Sequence, residues 1–157
     1  MSDQTNGNGA IDAQPQLAIN AQYVKDLSFE NPNAPQSLLP GQEQPQVQVN
    51  VNVSARGVAQ DMFEVEIQLN AQAKNGESQT FVVELVYAGL FTLKNIPQES
   101  LEAVCLIECP RLIFPFARRI VADATRDGGF PPLMLEPIDF ADLYRRGKMS
   151  QAPAGNA

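Results

Sequence analysis

The chain has no histidine, so the commonest general base and the commonest metal ligand are both missing. Its only cysteines, Cys105 and Cys109, lie four apart on one helix face. They are poorly placed for a disulfide and supply too few of the roughly four ligands a structural zinc needs. Reduced, buried thiols are the expectation. No glycine-rich phosphate loop, G-x-S-x-G or H-E-x-x-H occurs. Glu64, Glu66 and Glu84 fall on a face expected to be solvated, where nothing raises a carboxyl pKa. No catalytic residue, metal or cofactor is therefore expected, and an enzyme is not. Basic residues are also scarce: eleven Lys and Arg against eighteen Asp and Glu give a net charge of −7, which argues against nucleic acid and towards a basic partner. Long apolar runs are missing too. The most apolar stretch, residues 104–124, is interrupted by Glu108, Arg111, Arg118 and Arg119, well short of the roughly 20 residues that span a bilayer. The first residues have neither the basic region nor the apolar core of a secretory signal. No membrane insertion is expected, and the cytosol is the expected location.

What is present fits one domain, with residues 1–16 and 148–157 as disordered tails around an ordered 17–147. From Ile19 the pattern has period two, with Ile19, Ala21, Tyr23, Leu27 and Phe29 on one side and Asn20, Gln22, Asp26, Ser28 and Glu30 on the other. A proline-rich connection follows. A second strand, Q-V-Q-V-N-V-N-V-S at residues 46–54, points Val47, Val49, Val51 and Val53 inward. A third runs from Met62 to about Ala73 with Phe63, Val65, Ile67 and Leu69 inward, and a fourth from about Thr80 with Phe81, Val83, Leu85, Tyr87, Phe91 and Leu93 inward. Gly89 marks a bend or a close approach. Parity favours a three-residue loop Lys74-Asn75-Gly76, with Gly76 left-handed, pairing Leu69 with Phe81.

After Pro97 the period becomes helical, with Pro110 breaking or kinking the helix and Pro115 opening a new segment. Gly128-Gly129 stops it. A proline-held linker leads to a short helix capped by Asp139, containing Phe140, Leu143 and Tyr144 and closed by Gly147. The expected fold is α+β, a four-stranded antiparallel sheet with two helices packed on one face. The start of the apolar stretch is hydrophobic on nearly every side, which in a chain this short points to an oligomer interface through Val104, Cys105, Ile107 and Leu112.

Alternation leaves Asp26, Glu30, Glu64, Glu66 and Glu84 on the outer sheet face, with Val82 and Val86 beside Glu84. Such a face is either ordinarily solvated or a small docking patch with a charged rim. Phe91, Phe114, Phe130, Leu133, Leu135, Ile138, Phe140 and Tyr144 exceed what one sheet face and two helices cover. They suit a trough for an extended apolar chain, or in part an oligomer contact. A groove taking three or four large apolar side chains, each contributing about 1.5–3 kcal/mol, binds without reading sequence.

Three segments carry a family resemblance: K-D-L-S-F-E-N-P-N-A-P at residues 25–35, C-P-R-L-I-F-P-F-A-R at 109–118 and G-G-F-P-P-L-M-L-E-P-I-D-F at 128–140. In this order they resemble the bacterial SecB family of protein-export chaperones. The resemblance implies a SecB-like fold and a homotetramer, a dimer of dimers, that holds unfolded preproteins in the cytoplasm and passes them to the SecA motor. It also implies no ATP hydrolysis and no cofactor. Asp26, Glu30, Val82 and Glu84 match the family's SecA-docking positions, and the aromatic trough matches its client groove. A general or toxin-antitoxin-associated chaperone of the same fold, or a small-ligand carrier, are the alternatives.

Overall fold

The computed structural model describes residues 14–151; the expected N-terminal tail falls almost wholly outside them. Four strands, β1 (Gln16–Glu30), β2 (Gln46–Ala59), β3 (Met62–Asn75) and β4 (Ser78–Lys94), form one antiparallel sheet in the order β1-β4-β3-β2. Two hairpins join β2 to β3 and β3 to β4, while the long connection from β1 returns the chain to the far edge, a Greek-key arrangement. Asn31 and Asn33 tie that connection down, donating to the carbonyls of Gly128 and Gln79 at 3.0 and 2.7 Å.

The inward sets on β3 and β4 are as alternation predicts, and all but the half-buried Phe63 are buried. The register between them is not. Leu69 pairs with Leu85 and Phe81 with Ala73, around a two-residue turn at Gly76-Glu77. Thr80 is an extra residue on β4, and this bulge restores the parity that a two-residue turn would otherwise invert. Gly76 does adopt the left-handed conformation, with φ 62°. Strand β1 carries two bulges, at Asn20 and Lys25. Between them the faces swap, so Tyr23, expected inward, stands on the outer face and Gln22 inward, where it accepts a hydrogen bond from Tyr87 at 3.0 Å.

The helical layer also departs from expectation. α1 (Gln98–Ala103) passes through a π turn (Val104–Glu108) straight into α2 (Cys109–Asp127), without a break at Pro110 or Pro115. In the π turn the Cys109 N–H bonds to the Val104 carbonyl. This widened turn takes up the missing donor and the ring of Pro110, which an ordinary α-turn accommodates poorly. Cys105, Cys109, Ile113, Ala117, Val121 and Thr125, each four residues on from the last, form one buried ridge over β3 and β4. Gly89 permits that contact, since a Cβ there would lie 2.6 Å from the Phe91 ring and 3.3 Å from Ile113. Asp139 caps α3 (Phe140–Gln151), accepting from the Asp142 N–H at 3.0 Å, but α3 runs through Gly147 rather than ending at it. Among the described residues no helix is long and apolar enough to cross a membrane.

Candidate functional site

The helices cover the middle of the sheet and leave both edge strands largely bare. On β2 the row Val47, Val49, Val51 and Val53 faces the helical side, as the alternation requires, yet Val47 remains 42 % exposed. Val49 is similarly bare, while Val51 and Val53 are half-buried at the margin of the core, and together the four floor a trough. Residues 133–138 form its wall, and Val47, Val49 and Val51 with Leu133, Met134 and Ile138 line an open hollow of about 470 Å³. A second hollow of about 210 Å³ adds Pro45, Phe81, Phe130 and Pro132. Further along β2, Val53 lies against Leu106, Leu143 and Tyr144 in one hollow of about 410 Å³ and against Phe63, Leu101 and Leu106 in another of about 500 Å³. Four hollows thus follow one strand from Pro45 to Gly57. At about 3.3 Å per residue that is a channel of roughly 40 Å. The two hollows nearest Pro45 are mainly apolar, and the two around Val53 are also lined by Glu102, with Arg146 and Lys148 in one and Arg56 in the other.

The trough wall is fastened from below. Buried Thr125 accepts from the Leu133 N–H at 2.9 Å, and its backbone carbonyl accepts from the Phe130 N–H at 3.1 Å. The Phe130 ring lies 5.0 Å from that of Phe81, and Phe140 meets Phe114 edge-on at 5.7 Å. Of the eight residues expected in the groove, Phe130, Leu133, Ile138 and Tyr144 are half-buried, and each of them lines a hollow. Phe91, Phe114 and Phe140 are core, covered where the helices meet the sheet; Leu135 is buried as well, although it borders the hollow against Val47, Val49 and Val51. The β2 valines and Met134 complete the lining. Their alternation was visible in the sequence; the strip of sheet the helices leave open was not.

The outer face gathers the other set. Asp26 lies opposite Val86, Ser28 opposite Glu84 and Glu30 opposite Val82, so Asp26, Glu30, Val82 and Glu84 share one surface of β1 and β4. Asn70 on β3 donates to Glu84 Oε1 at 3.1 Å. Glu64, expected to be solvated, is instead buried: Tyr23 donates to its Oε2 at 2.6 Å, and Lys25 and Arg56 bond its Oε1 at 3.1 and 3.0 Å. The Tyr23 hydrogen bond, with those from the two cations, overcomes the opposing effect of burial and holds this carboxyl down at about 2. The unneutralised acidity is therefore narrower than the alternation implied.

A third surface is apolar. On the inner side of β1, Val24 is 46 % exposed and Leu17, Ile19 and Leu27 are similarly bare. On α2, Leu112 and Phe116 project one turn apart at 44 % and 42 % exposure. Val104 and Ile107 are half-buried. Cys105, expected at a subunit contact, is already buried against the sheet within the single chain and leaves nothing for a neighbour.

An open trough of apolar side chains on the helical side of the sheet is the surface of a binding protein, and exposed carboxylates gather on the opposite side. The family model described as preprotein translocase subunit SecB matches residues 10–151. The protein-export protein SecB of Bradyrhizobium sp. (strain BTAi1) is 55 % identical over 156 residues, covering 98 % of this chain and 96 % of that one. That of Parvibaculum lavamentivorans is 56 % identical over 160 residues, covering 98 % and 95 %. Among solved structures, the Mycobacterium tuberculosis Rv1957 SecB-like chaperone, in complex with a ChAD peptide from the Rv1956 HigA1 antitoxin, superposes with a TM-score of 0.65 at 20 % identity, covering 78 % of this chain and 90 % of that one. The chain belongs to the SecB family of protein-export chaperones.

Proposed function

We propose that this protein is an ATP-independent holdase of the cytoplasm, which keeps unfolded preproteins in the trough and hands them to the SecA motor. The observation that carries this reading is the valine row of β2, bare at Val47 and Val49 and only half-covered at Val51 and Val53, along a walled channel. An extended polypeptide has alternate side chains about 7 Å apart on one side, the same spacing as the valines on the strand beneath. Contacts of this kind are apolar and undirected, so they accept many sequences and release them without chemistry. A chain of open hollows suits a polypeptide better than the single enclosed cavity a small-ligand carrier needs. The outer patch of Asp26, Glu30, Val82 and Glu84 is the SecA-docking surface in this reading, its exposed carboxylates complementary to a basic segment. The bare faces of β1 and of α2 at Leu112 and Phe116 supply the contacts of a homotetramer built as a dimer of dimers.

The test is direct. A reduced, unfolded protein offered at stoichiometric amounts is held from aggregation by the native chain and poorly by a Val49→Asp variant, while Glu84→Lys keeps the client and loses SecA in calorimetric titration. Indifference of client holding to Val49→Asp removes the trough from the mechanism; unchanged SecA binding in Glu84→Lys removes the patch.

A further inference from the structure

The outer sheet face carries cations as well as acids, and one of them is the sequence neighbour of a docking carboxylate. Lys25 sits at the second bulge of β1, immediately before Asp26. Its ammonium reaches across β4 to two carboxylates of β3, bonding Glu64 Oε1 at 3.1 Å and pairing with Glu66 as well. Glu64 is fixed in turn by the Tyr23 hydroxyl at 2.6 Å and by Arg56 at 3.0 Å. Glu66 is steadied by Gln68, which donates to its Oε2 at 3.3 Å. No ion pair involves Asp26, Glu30 or Glu84 among the described residues.

A tethered cation is a strong competitor. Groups joined by a short flexible link meet at effective concentrations in the millimolar range, above those at which two cytosolic proteins find each other. A lysine free to swing next to Asp26 would shield that carboxylate from any cationic partner before the partner arrived. The Glu64–Glu66 pair prevents this by offering the lysine two carboxylates, one of them buried and itself anchored.

We propose that Glu64 and Glu66 are positioning residues of the docking surface, which hold Lys25 away from Asp26 and so keep that surface acidic towards a basic partner. The inference rests on reading Asp26, Glu30, Val82 and Glu84 as the place where that partner binds. Holding Lys25 aside then adds to the affinity that the exposed carboxylates supply.

Calorimetric titration with SecA at low salt tests it in four variants of the full chain, each checked for a native circular-dichroism spectrum at the temperature of the titration. Glu64→Gln with Glu66→Gln releases Lys25 while keeping side-chain shape, and weakens binding about threefold to fivefold, the size of one exposed ion pair. Adding Lys25→Met to that pair restores binding to within about twofold, which a merely structural defect would not allow. Glu43→Gln with Glu77→Gln removes the same net charge elsewhere and leaves binding near that of the native chain. Unchanged binding in the first variant, no recovery on removing Lys25, or an equal loss in the charge-matched control overturns the proposal. Glu84→Gln is the separate check on the docking surface: if it binds SecA like the native chain, the underlying reading fails, whatever the other variants do.

Discussion

The Leu133 N–H donates to Thr125 Oγ1 at 2.9 Å, joining the wall of the trough to a fully buried side chain at the end of α2. The same hydroxyl oxygen lies 3.0 Å from the carbonyls of Val121 and Ala122, to which it donates. One side chain thus closes the helix and fixes the loop that follows. Thr125→Val keeps the shape and removes both roles, leaving a covered N–H without a partner. Such a loss costs about 1–3 kcal/mol. The expected outcome is a lower denaturant midpoint, together with weaker client binding because the wall bearing Leu133 is no longer held.

Core and trough separate by substitution even though both are aromatic and aliphatic. Phe140 is 1 % exposed and meets Phe114 edge-on, so Phe140→Ala costs about 3–5 kcal/mol of stability. Met134 is 61 % exposed on the wall, and Met134→Ser changes stability by less than about 0.5 kcal/mol while weakening the hold on an unfolded client. Urea unfolding and an aggregation-suppression assay on the two variants check the contrast. A stability loss of equal size in both would place Met134 in the core.

Much of this arrangement was legible in the sequence. The strands, their inward sets on β3 and β4, the acidic outer face and the Asp139 cap follow from period and residue type. What was not legible has definite causes. Bulges at Asn20 and Lys25 exchange the faces of the residues between them, and no period-two pattern announces an inserted residue. The bulge at Thr80 preserves the parity that seemed to require a three-residue loop, so a wrong register produced the right faces. The π turn lets one helix pass Pro110, which propensity alone reads as an end. Above all, alternation tells which side of β2 is apolar but not whether a helix covers it, and that omission is the trough.

Glu64 ties stability to acid. Its folded-state pKa is depressed from 4.5 to about 2, first by the hydrogen bond from Tyr23 and then by those from Lys25 and Arg56. A depressed carboxyl stabilises the fold above its unfolded pKa and ceases to do so as the pH falls through the folded value. Stability therefore declines between about pH 4.5 and pH 2, and Glu64→Gln flattens that part of the profile. Chemical unfolding at closely spaced pH values reads the slope; an unchanged slope in the variant would assign the decline to other groups.

The two thiols are expected to be inert in the native protein. Burial pushes Cys105 up to about 11 and Cys109 up to about 12, the latter helped by neighbouring Cys105 and Glu108. The thiolate is the reactive form, so little of it exists at pH 8. A disulfide-exchange reagent at that pH titrates neither thiol until denaturant is added, and rapid native labelling of either would show that the helix layer opens.

In the proposed assembly, self-association uses surfaces the single chain leaves bare. Leu112 and Phe116 stand one turn apart on α2, outside the buried ridge that begins at Cys105. Replacing both with aspartate removes apolar area from a contact and adds two charges, while the ridge facing the sheet is untouched. Desolvating two unpaired carboxylates at a contact is costly enough to prevent it. Sedimentation of Leu112→Asp/Phe116→Asp therefore gives a smaller particle than the native chain, with an unchanged circular-dichroism spectrum. Cys105→Ser is the control: its side chain lies under the helix, so it lowers stability and leaves particle size as it was. A native-sized particle from the aspartate pair would move the subunit contact away from this face of α2 and onto β1 alone, where Val24 and Leu27 remain to be tested in the same way.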